Sequence, residues 1–430
     1  MTRKSTVRTW VPRVACAVTV SLALAACGGG AGASDDAFTM MSLNENTTQD
    51  EVLTALGKGA CADQNAALPL DITEQAQESV DQQEQLLAGQ GALPQLFPAN
   101  TPALIRELAD NGRVADVSKV LSGSPAADSV LPAAQSAADQ IFGAQLVLPV
   151  ELNIEGIWYN KKILSDNGID VPKTWDALVA AFEKLKQAGV QPVSAAGAGG
   201  DGWGVSRWVG AYLFRTLGPD ALKDVADGKA KLTDPEYVAA AQAISDLGKA
   251  GYFGPSPTSI DYATALNTFL TGDAAFIYMG SWALSNFNDP KENKIGEDAI
   301  GFLPFPEVSG GKGSSDQTPT NLGTSIVLSS SVADNEKAKA WVQCIAENYG
   351  TTALRDKGQI TGFTLSEKVD VPPLTKVVQE QITATSQSVL WFEALFPASA
   401  TTASQQNAGL LGSGQKSGKD FMSAVASELG

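Results

Sequence analysis

Apolar residues recur along this chain in blocks of two kinds: short extended runs bounded by turn residues, and stretches with helical spacing. Phe38-Thr39-Met40-Met41-Ser42-Leu43 predicts a first strand, the polar Asn44-Glu45-Asn46-Thr47 a turn, and residues 50–56 an amphipathic helix. A strand feeding a helix through a polar turn opens an α/β unit. The alternation continues with a strand over 68–72, a helix over 79–87, and a helix over 102–110 begun by Thr101 as cap and Pro102 at its first position. Leu146-Val147-Leu148-Pro149-Val150 reads as strand, and residues 156–164 as a strand running into a turn. Thr174 caps a helix that carries Asp176 in its first turn, where the helix dipole favours an acid, and that stops at Gly189. Later helices are predicted over 237–250, 260–271, 336–348 and 419–429, while residues 307–319 read as a loop on composition.

The first 26 residues have a different pattern. Arg3, Lys4, Arg8 and Arg13 stand without an acid, and the 13 residues from Val14 to Ala26 carry no charge, which is the pattern of a signal peptide. A membrane-spanning helix needs ~20 apolar residues, so this stretch is too short to span, and the mature protein is expected to be soluble apart from any anchor. Leu24-Ala25-Ala26-Cys27 resembles a bacterial lipobox, which implies lipid on Cys27; an ordinary small-residue cleavage site is the alternative. The Gly-rich run that follows suits a flexible tether over 27–37.

Removing those 26 of 430 residues leaves 404, and losing four cations takes the net charge from −17 to −21. Length implies about two or three domains. The acidic balance speaks against nucleic acid or an anionic membrane surface as partner, because either needs a basic face; it favours a neutral or cationic ligand. Of four cysteines, Cys16 leaves with the signal and Cys27 takes lipid, so Cys61 and Cys344 remain in an oxidising compartment, as one disulfide or as two separately buried thiols. Histidine is absent. Its absence excludes Ser-His-Asp and Cys-His catalysis, His general bases and His-containing metal sites.

Four segments, taken in order, carry a resemblance: residues 156–161 (Gly-Ile-Trp-Tyr-Asn-Lys), 172–176 (Pro-Lys-Thr-Trp-Asp), 272–282 (Gly-Asp-Ala-Ala-Phe-Ile-Tyr-Met-Gly-Ser-Trp) and 323–326 (Gly-Thr-Ser-Ile). Together they resemble family 1 extracellular solute-binding proteins over about residues 38–430. The resemblance implies a maltose-binding-protein-like α/β fold, the two-lobe periplasmic-binding-protein-like architecture with three inter-lobe crossings, near 148–150, 319–323 and 357–362. Lobe 1 would hold 38–148 plus 322–356, and lobe 2 would hold 149–321 plus 357–430. It further implies a monomer without cofactor or metal, tethered by lipid at the extracellular face of the membrane. Such a protein captures a carbohydrate between its lobes and delivers it to ABC transporter permease subunits. Cys61 and Cys344 would share lobe 1 and bridge there. One departure is Pro94-Gln95, where many members have Pro-Asp, an exchange expected to alter ligand contacts of the first lobe.

A sugar presents apolar C–H faces and hydroxyl edges, so its cleft needs flat rings beside carboxylates and amides. Trp158, Trp203, Trp208, Trp282 and Trp391 lie near predicted loops or strand ends, with Asn44, Glu45, Glu151, Asp201, Arg207 and Glu393 as polar candidates. Core packing is the commonest fate of a large aromatic, and Trp175 and Trp341, on helices with apolar neighbours, read that way. Strand alternation turns Trp158 or Tyr159 toward the cleft, not both. Trp203 leads, because its Gly-rich surroundings offer no helix or strand to pack on. Trp282 ends a strand, where α/β folds place ligands. Trp391 and Glu393 lie between carboxy-terminal helices and resemble the family's last cleft element, although a salt-bridged surface acid is equally consistent with Glu393. The predicted ligand set is Asn44, Glu45, Glu151, Trp158, Trp203, Arg207, Trp282, Trp391 and Glu393.

Gly197-Ala198-Gly199-Gly200-Asp201-Gly202 matches the dinucleotide pattern formally but lies too deep in the chain to open a nucleotide fold. Three other functions fit parts of the pattern. A secreted glycoside hydrolase would also pair carboxylates in an aromatic cleft, a binder for a sensor or adhesion system would share the fold, and the solute itself could be glycerol phosphate or a polyamine. A phosphate would want several cations, and Arg207 alone is a candidate.

Overall fold

The computed structural model describes residues 36–44 and 47–430. The predicted signal peptide, Cys27, the tether up to residue 35, and Glu45 lie outside the described residues.

Eleven strands are formed among the described residues: β1 Phe38–Leu43, β2 Leu70–Gln75, β3 Leu96–Pro98, β4 Val147–Leu148, β5 Asn153–Asn160, β6 Gln191–Ser194, β7 Ala274–Gly280, β8 Ile300–Leu303, β9 Gln317–Asn321, β10 Ile326–Leu328 and β11 Gln387–Val389. They make two mixed sheets, ordered β2-β1-β3-β10-β4 and β11-β9-β5-β7-β6, with β8 beside the end of β5. Each sheet is the base of one α/β lobe. The chain passes from the first sheet to the second between β4 and β5, returns between β9 and β10, and reaches β11 only after Leu328.

All six residues of β1 are buried, as a strand covered by helices on both faces requires. The helices Thr48–Lys58 and Glu336–Lys357 supply part of that cover, and Trp341 stacks on Phe38 at 5.2 Å while its indole N–H donates to Leu68 O at 2.7 Å. Trp341 is thus a core ring, as its helical spacing predicts. A second apolar core, around Phe182, Trp208 and Phe276, fills the second lobe. A third runs from Leu43 and Phe97 of the first lobe through Leu152, Leu322 and Leu390 to Trp158 and Phe287 of the second. The two lobes therefore share one continuous apolar body beside the crossings.

Several expectations need correcting. The helix Trp203–Leu217 occupies a stretch whose glycines read as loop, and Glu336–Lys357 runs past residue 348 because Tyr349, Ala353 and Leu354 stay buried against the first lobe. The predicted loop over 307–319 gives way to β9 at Gln317. Thr101 precedes the helix Pro102–Asp110 without capping it, since its hydroxyl donates instead to Asp81 Oδ2 at 2.6 Å. Gln95 is buried, accepting at Oε1 from the backbone N–H of Thr39 at 2.8 Å, so it joins β1 to β3 rather than reaching a ligand. Thr174 does cap Trp175–Gln187, accepting from Ala177 N at 3.3 Å.

Glu84, on the helix Gln77–Gln90, is fully buried and neither carboxylate oxygen has a hydrogen-bond partner. Burial, with Asp81 nearby adding to it, pushes its carboxyl up to about 9. The folded state then holds a proton that the unfolded chain releases above its ordinary value of 4.5, so stability is greatest below that value and falls as pH rises toward about 9. Glu84→Gln is expected to stabilise by roughly 1–3 kcal/mol at alkaline pH and to flatten the fall in unfolding midpoint between pH 5 and 9. An unchanged pH profile in that variant would show the carboxyl to be solvated.

Candidate functional site

β5 reads Asn-Ile-Glu-Gly-Ile-Trp-Tyr-Asn and puts a carboxylate inside the mainly apolar stretch between its terminal asparagines. That residue, Glu155, is fully buried, and its Oε1 accepts from Arg207 Nη1 at 3.1 Å. Arg207 comes from the first turns of Trp203–Leu217, and its Nε lies 3.8 Å from Glu393 Oε2. Glu393 is held in turn by the hydroxyls of Ser206 and Ser404, the latter at 2.8 Å. Two carboxylates thus clamp one guanidinium, whose side chain is only 11% exposed. Burial pushes the Glu155 carboxyl above its ordinary value; Arg207 opposes that and the Glu393 charge adds to it.

Aromatic rings surround this clamp. The Arg207 guanidinium carbon lies 5.2 Å from the Trp391 ring centre and 5.9 Å from that of Trp203, both within cation–π range. Trp203 meets Tyr262 at 5.8 Å and Trp282 edge-on at 5.8 Å. Tyr262 is held by its backbone N–H, which donates to Asp201 Oδ2 at 2.9 Å. Trp282 folds back over the end of β7, where a β-carbon on Gly280 would stand 2.0 Å from the indole, so only glycine fits there. Trp203, Trp282, Trp391 and Tyr262 are all half-buried.

Trp282 also walls a cavity of about 360 Å³ together with Thr48, Glu151, Asn153, Ser281 and Lys357. Thr48 starts the helix after β1 and Lys357 ends the last long helix of the first lobe, whereas Asn153 and Ser281 belong to strands of the second sheet or their ends. The cavity therefore has walls from both lobes. Its polar wall is prearranged: Asn153 Nδ2 donates to Glu151 Oε1 at 2.7 Å, and Ser281 Oγ donates to Asn153 Oδ1 at 3.1 Å. On the first lobe, Ser42 donates to Asp50 at 2.9 Å, and Asp81 accepts from Asn100 and Thr101, all near the ends of β1 and β3. Among the described residues no three His, Cys, Asp or Glu side chains converge as a metal site would.

Trp203, Arg207, Trp282, Trp391 and Glu393 thus come together, and Glu151 joins them through the cavity wall. Asn44 is exposed in the turn after β1. Trp158 is a correction: it is fully buried, its indole N–H donates to Met279 O at 2.9 Å, and its ring packs edgewise on Phe302. Trp208 is likewise core, among Phe182, Phe253 and Phe305. Arg207 and Glu393 are largely buried and paired with each other, and Arg207 also with Glu155. Glu155, Asn153 and Tyr262 escape the sequence reading, although an acid inside an apolar strand is a usable signal for Glu155.

The chain belongs to the bacterial extracellular solute-binding protein family, which it matches over residues 70–351. It is 25% identical over 207 residues to an uncharacterized ABC transporter extracellular-binding protein of Pyrococcus horikoshii, covering 47% of this chain and 46% of the relative. It is 28% identical over 189 residues to a probable sugar-binding periplasmic protein of Mesorhizobium japonicum, covering 43% of each. The chain thus spans somewhat under half the length of these curated relatives. Similar solved structures include a probable secreted solute-binding lipoprotein from Streptomyces coelicolor, with a TM-score of 0.77, 17% identity and coverage of 91% of this chain and 98% of that one. A chitin oligosaccharide binding protein matches with a TM-score of 0.71, 23% identity and coverage of 91% and 97%. The fold is accordingly the two-lobed α/β fold of periplasmic solute-binding proteins. No helix among the described residues is long and apolar enough to cross a membrane.

Proposed function

We propose that this protein captures a sugar or oligosaccharide between its lobes outside the cell and delivers it to an ABC import permease, held at the membrane by lipid on Cys27. The carrying observation is the half-buried group Trp203, Tyr262, Trp282 and Trp391 beside a polar cavity walled by both lobes. Flat rings suit sugar C–H faces, and Glu151, Asn153, Asn44 and, from the sequence, Glu45 supply groups for hydroxyls. The names of sugar-binding relatives point the same way. In this reading lobe 1 comprises 38–148 plus 322–356, lobe 2 the remainder from 149, and the protein acts as a monomer.

The cations near the cavity are already paired, Arg207 with Glu155 and Glu393, and Lys357 with Glu51. That favours a neutral ligand over a phosphate, which needs uncommitted cations. The same clamp argues against glycosidic cleavage, since neither buried carboxylate is placed to exchange a proton with a bound glycoside. A thermal-shift screen against mono- and oligosaccharides tests the reading. Ligand at ~100 times its Kd stabilises by about 2.7 kcal/mol; no shift with any sugar, or release of reducing sugar, overturns it. The mass of the amino-terminal peptide tests the anchor.

A further inference from the structure

We infer that Arg207 is a positioning residue for the site: it does not touch the ligand but fixes the ring of Trp391, with Trp203 beside it, in the orientation that receives a sugar face. The inference rests on the sugar-binding reading above and adds a role to a residue that the sequence suggests as a direct contact.

Three observations carry it. The Arg207 side chain is 11% exposed, and the two carboxylates that hold it are at 0% and 3%, so the charged group presents little surface to a ligand. Its guanidinium is fixed on one side by Glu155 at 3.1 Å and faces Glu393 at 3.8 Å, which leaves it little freedom to swing outward. Its carbon centre lies 5.2 Å from the ring centre of Trp391 and 5.9 Å from that of Trp203, while both rings keep some exposure. Trp391 lies in no helix or strand, between β11 and the helix Ala398–Gly412. A ring on irregular backbone loses rotational freedom on binding unless something holds it beforehand, and preorganisation of that kind lowers the cost of association. The guanidinium supplies the hold through its cation–π contact and its fixed fork toward Glu155, which a lysine ammonium does not reproduce.

The test is a double-mutant cycle between Arg207→Lys and Trp391→Leu, read by calorimetric titration with maltotriose, xylotriose, galactotriose and chitotriose. Arg207→Lys in the native background is expected to weaken a bound sugar about tenfold, and in the Trp391→Leu background less than threefold. An equal loss in both backgrounds means that Arg207 contacts the sugar itself and overturns the inference, as does no loss in the native background. Near-UV circular dichroism of the ligand-free protein gives a second readout: Arg207→Lys should remove the same tryptophan band that Trp391→Leu removes, and an unchanged band overturns the inference. Should Arg207→Lys fail to fold, Glu393→Gln loosens the clamp with the arginine kept and must show the same non-additivity with Trp391→Leu. If none of these trisaccharides binds the unaltered protein while the band behaves as expected, Arg207 holds the Trp391 ring, but its role in receiving a sugar falls with the sugar-binding reading.

Discussion

Trp203→Ala is expected to weaken sugar binding about a hundredfold while the ligand-free protein keeps its fold. Trp203 opens the helix Trp203–Leu217, and its ring bridges Tyr262 and Trp282 at 5.8 Å each, so removing it takes out the middle of the aromatic surface. A central aromatic anchor contributes about 2–4 kcal/mol to binding, and about 2.7 kcal/mol is a hundredfold in Kd. Folding depends on it less. The buried face of that helix is made by Val205, Trp208, Val209 and Leu213, all essentially inaccessible, whereas Trp203 is only half-buried. Titration calorimetry and thermal unfolding of the ligand-free variant separate the outcomes. Normal affinity with a markedly lower unfolding midpoint would make the ring core packing and remove the centre of the proposed site.

The parts of the fold that the sequence displays are those in which local pattern and tertiary environment agree. β1 is readable because a run of apolar residues meets a polar turn, and the helix Trp175–Gln187 because Thr174 caps it, Asp176 enters its first turn and Gly189 follows it with φ +77. The helix Trp203–Leu217 is not readable, for a steric reason. Its glycines, and those just before it, look like loop residues, yet a β-carbon on Gly202, which precedes its first turn, would stand 1.9 Å from Gln405 O, and one on Gly210 would stand 3.0 Å from Phe392 N. They are small because the helix Ala398–Gly412 and the segment at Phe392 press against that helix, contacts that sequence spacing does not reveal. The structure thus removes the loop argument for Trp203, and its place in the aromatic group rests on different neighbours.

The tryptophans show the same limit from another side. Alternation along β5 sends Trp158 and Tyr159 to opposite faces, but which face is core depends on partners far away in sequence. Met279 O, Phe287 and Phe302 close over Trp158, so the indole N–H is satisfied inside the protein and the ring has no open face. Glu155, two residues before Ile157 on that strand, meets no solvent at all and is tolerated because Arg207 reaches it. Charge pairing of this kind joins residues 52 positions apart and Glu393 from the carboxy-terminal region.

Removing the Cys61–Cys344 bridge is expected to cost up to about 5 kcal/mol of stability without changing ligand affinity. The structure joins the two cysteines with Cα atoms 5.9 Å apart across a separation of 283 residues, and both side chains are buried. In the entropic model a loop of that length restricts the unfolded chain by about 5 kcal/mol, and at ~2.1 cal/mol/K per residue of unfolding entropy this corresponds to a fall of about 6 °C in unfolding midpoint for a chain of this size. Native packing survives the loss, because the helices Thr48–Lys58 and Glu336–Lys357 still bury Val52, Leu56, Trp341 and Ile345 in the same core. Ligand binding is insulated by distance. Cys61 follows the far end of the helix that Thr48 begins, and Cys344 lies 13 residues before Lys357 on its own helix, so at about 1.5 Å per residue each is roughly 15–20 Å from the cavity wall. The double variant Cys61→Ala/Cys344→Ala leaves no lone thiol, and its unfolding midpoint should match that of the unaltered protein in reductant. A difference under about 1 °C between the oxidised protein and the variant would mean that the bridge restricts an unfolded chain already held compact.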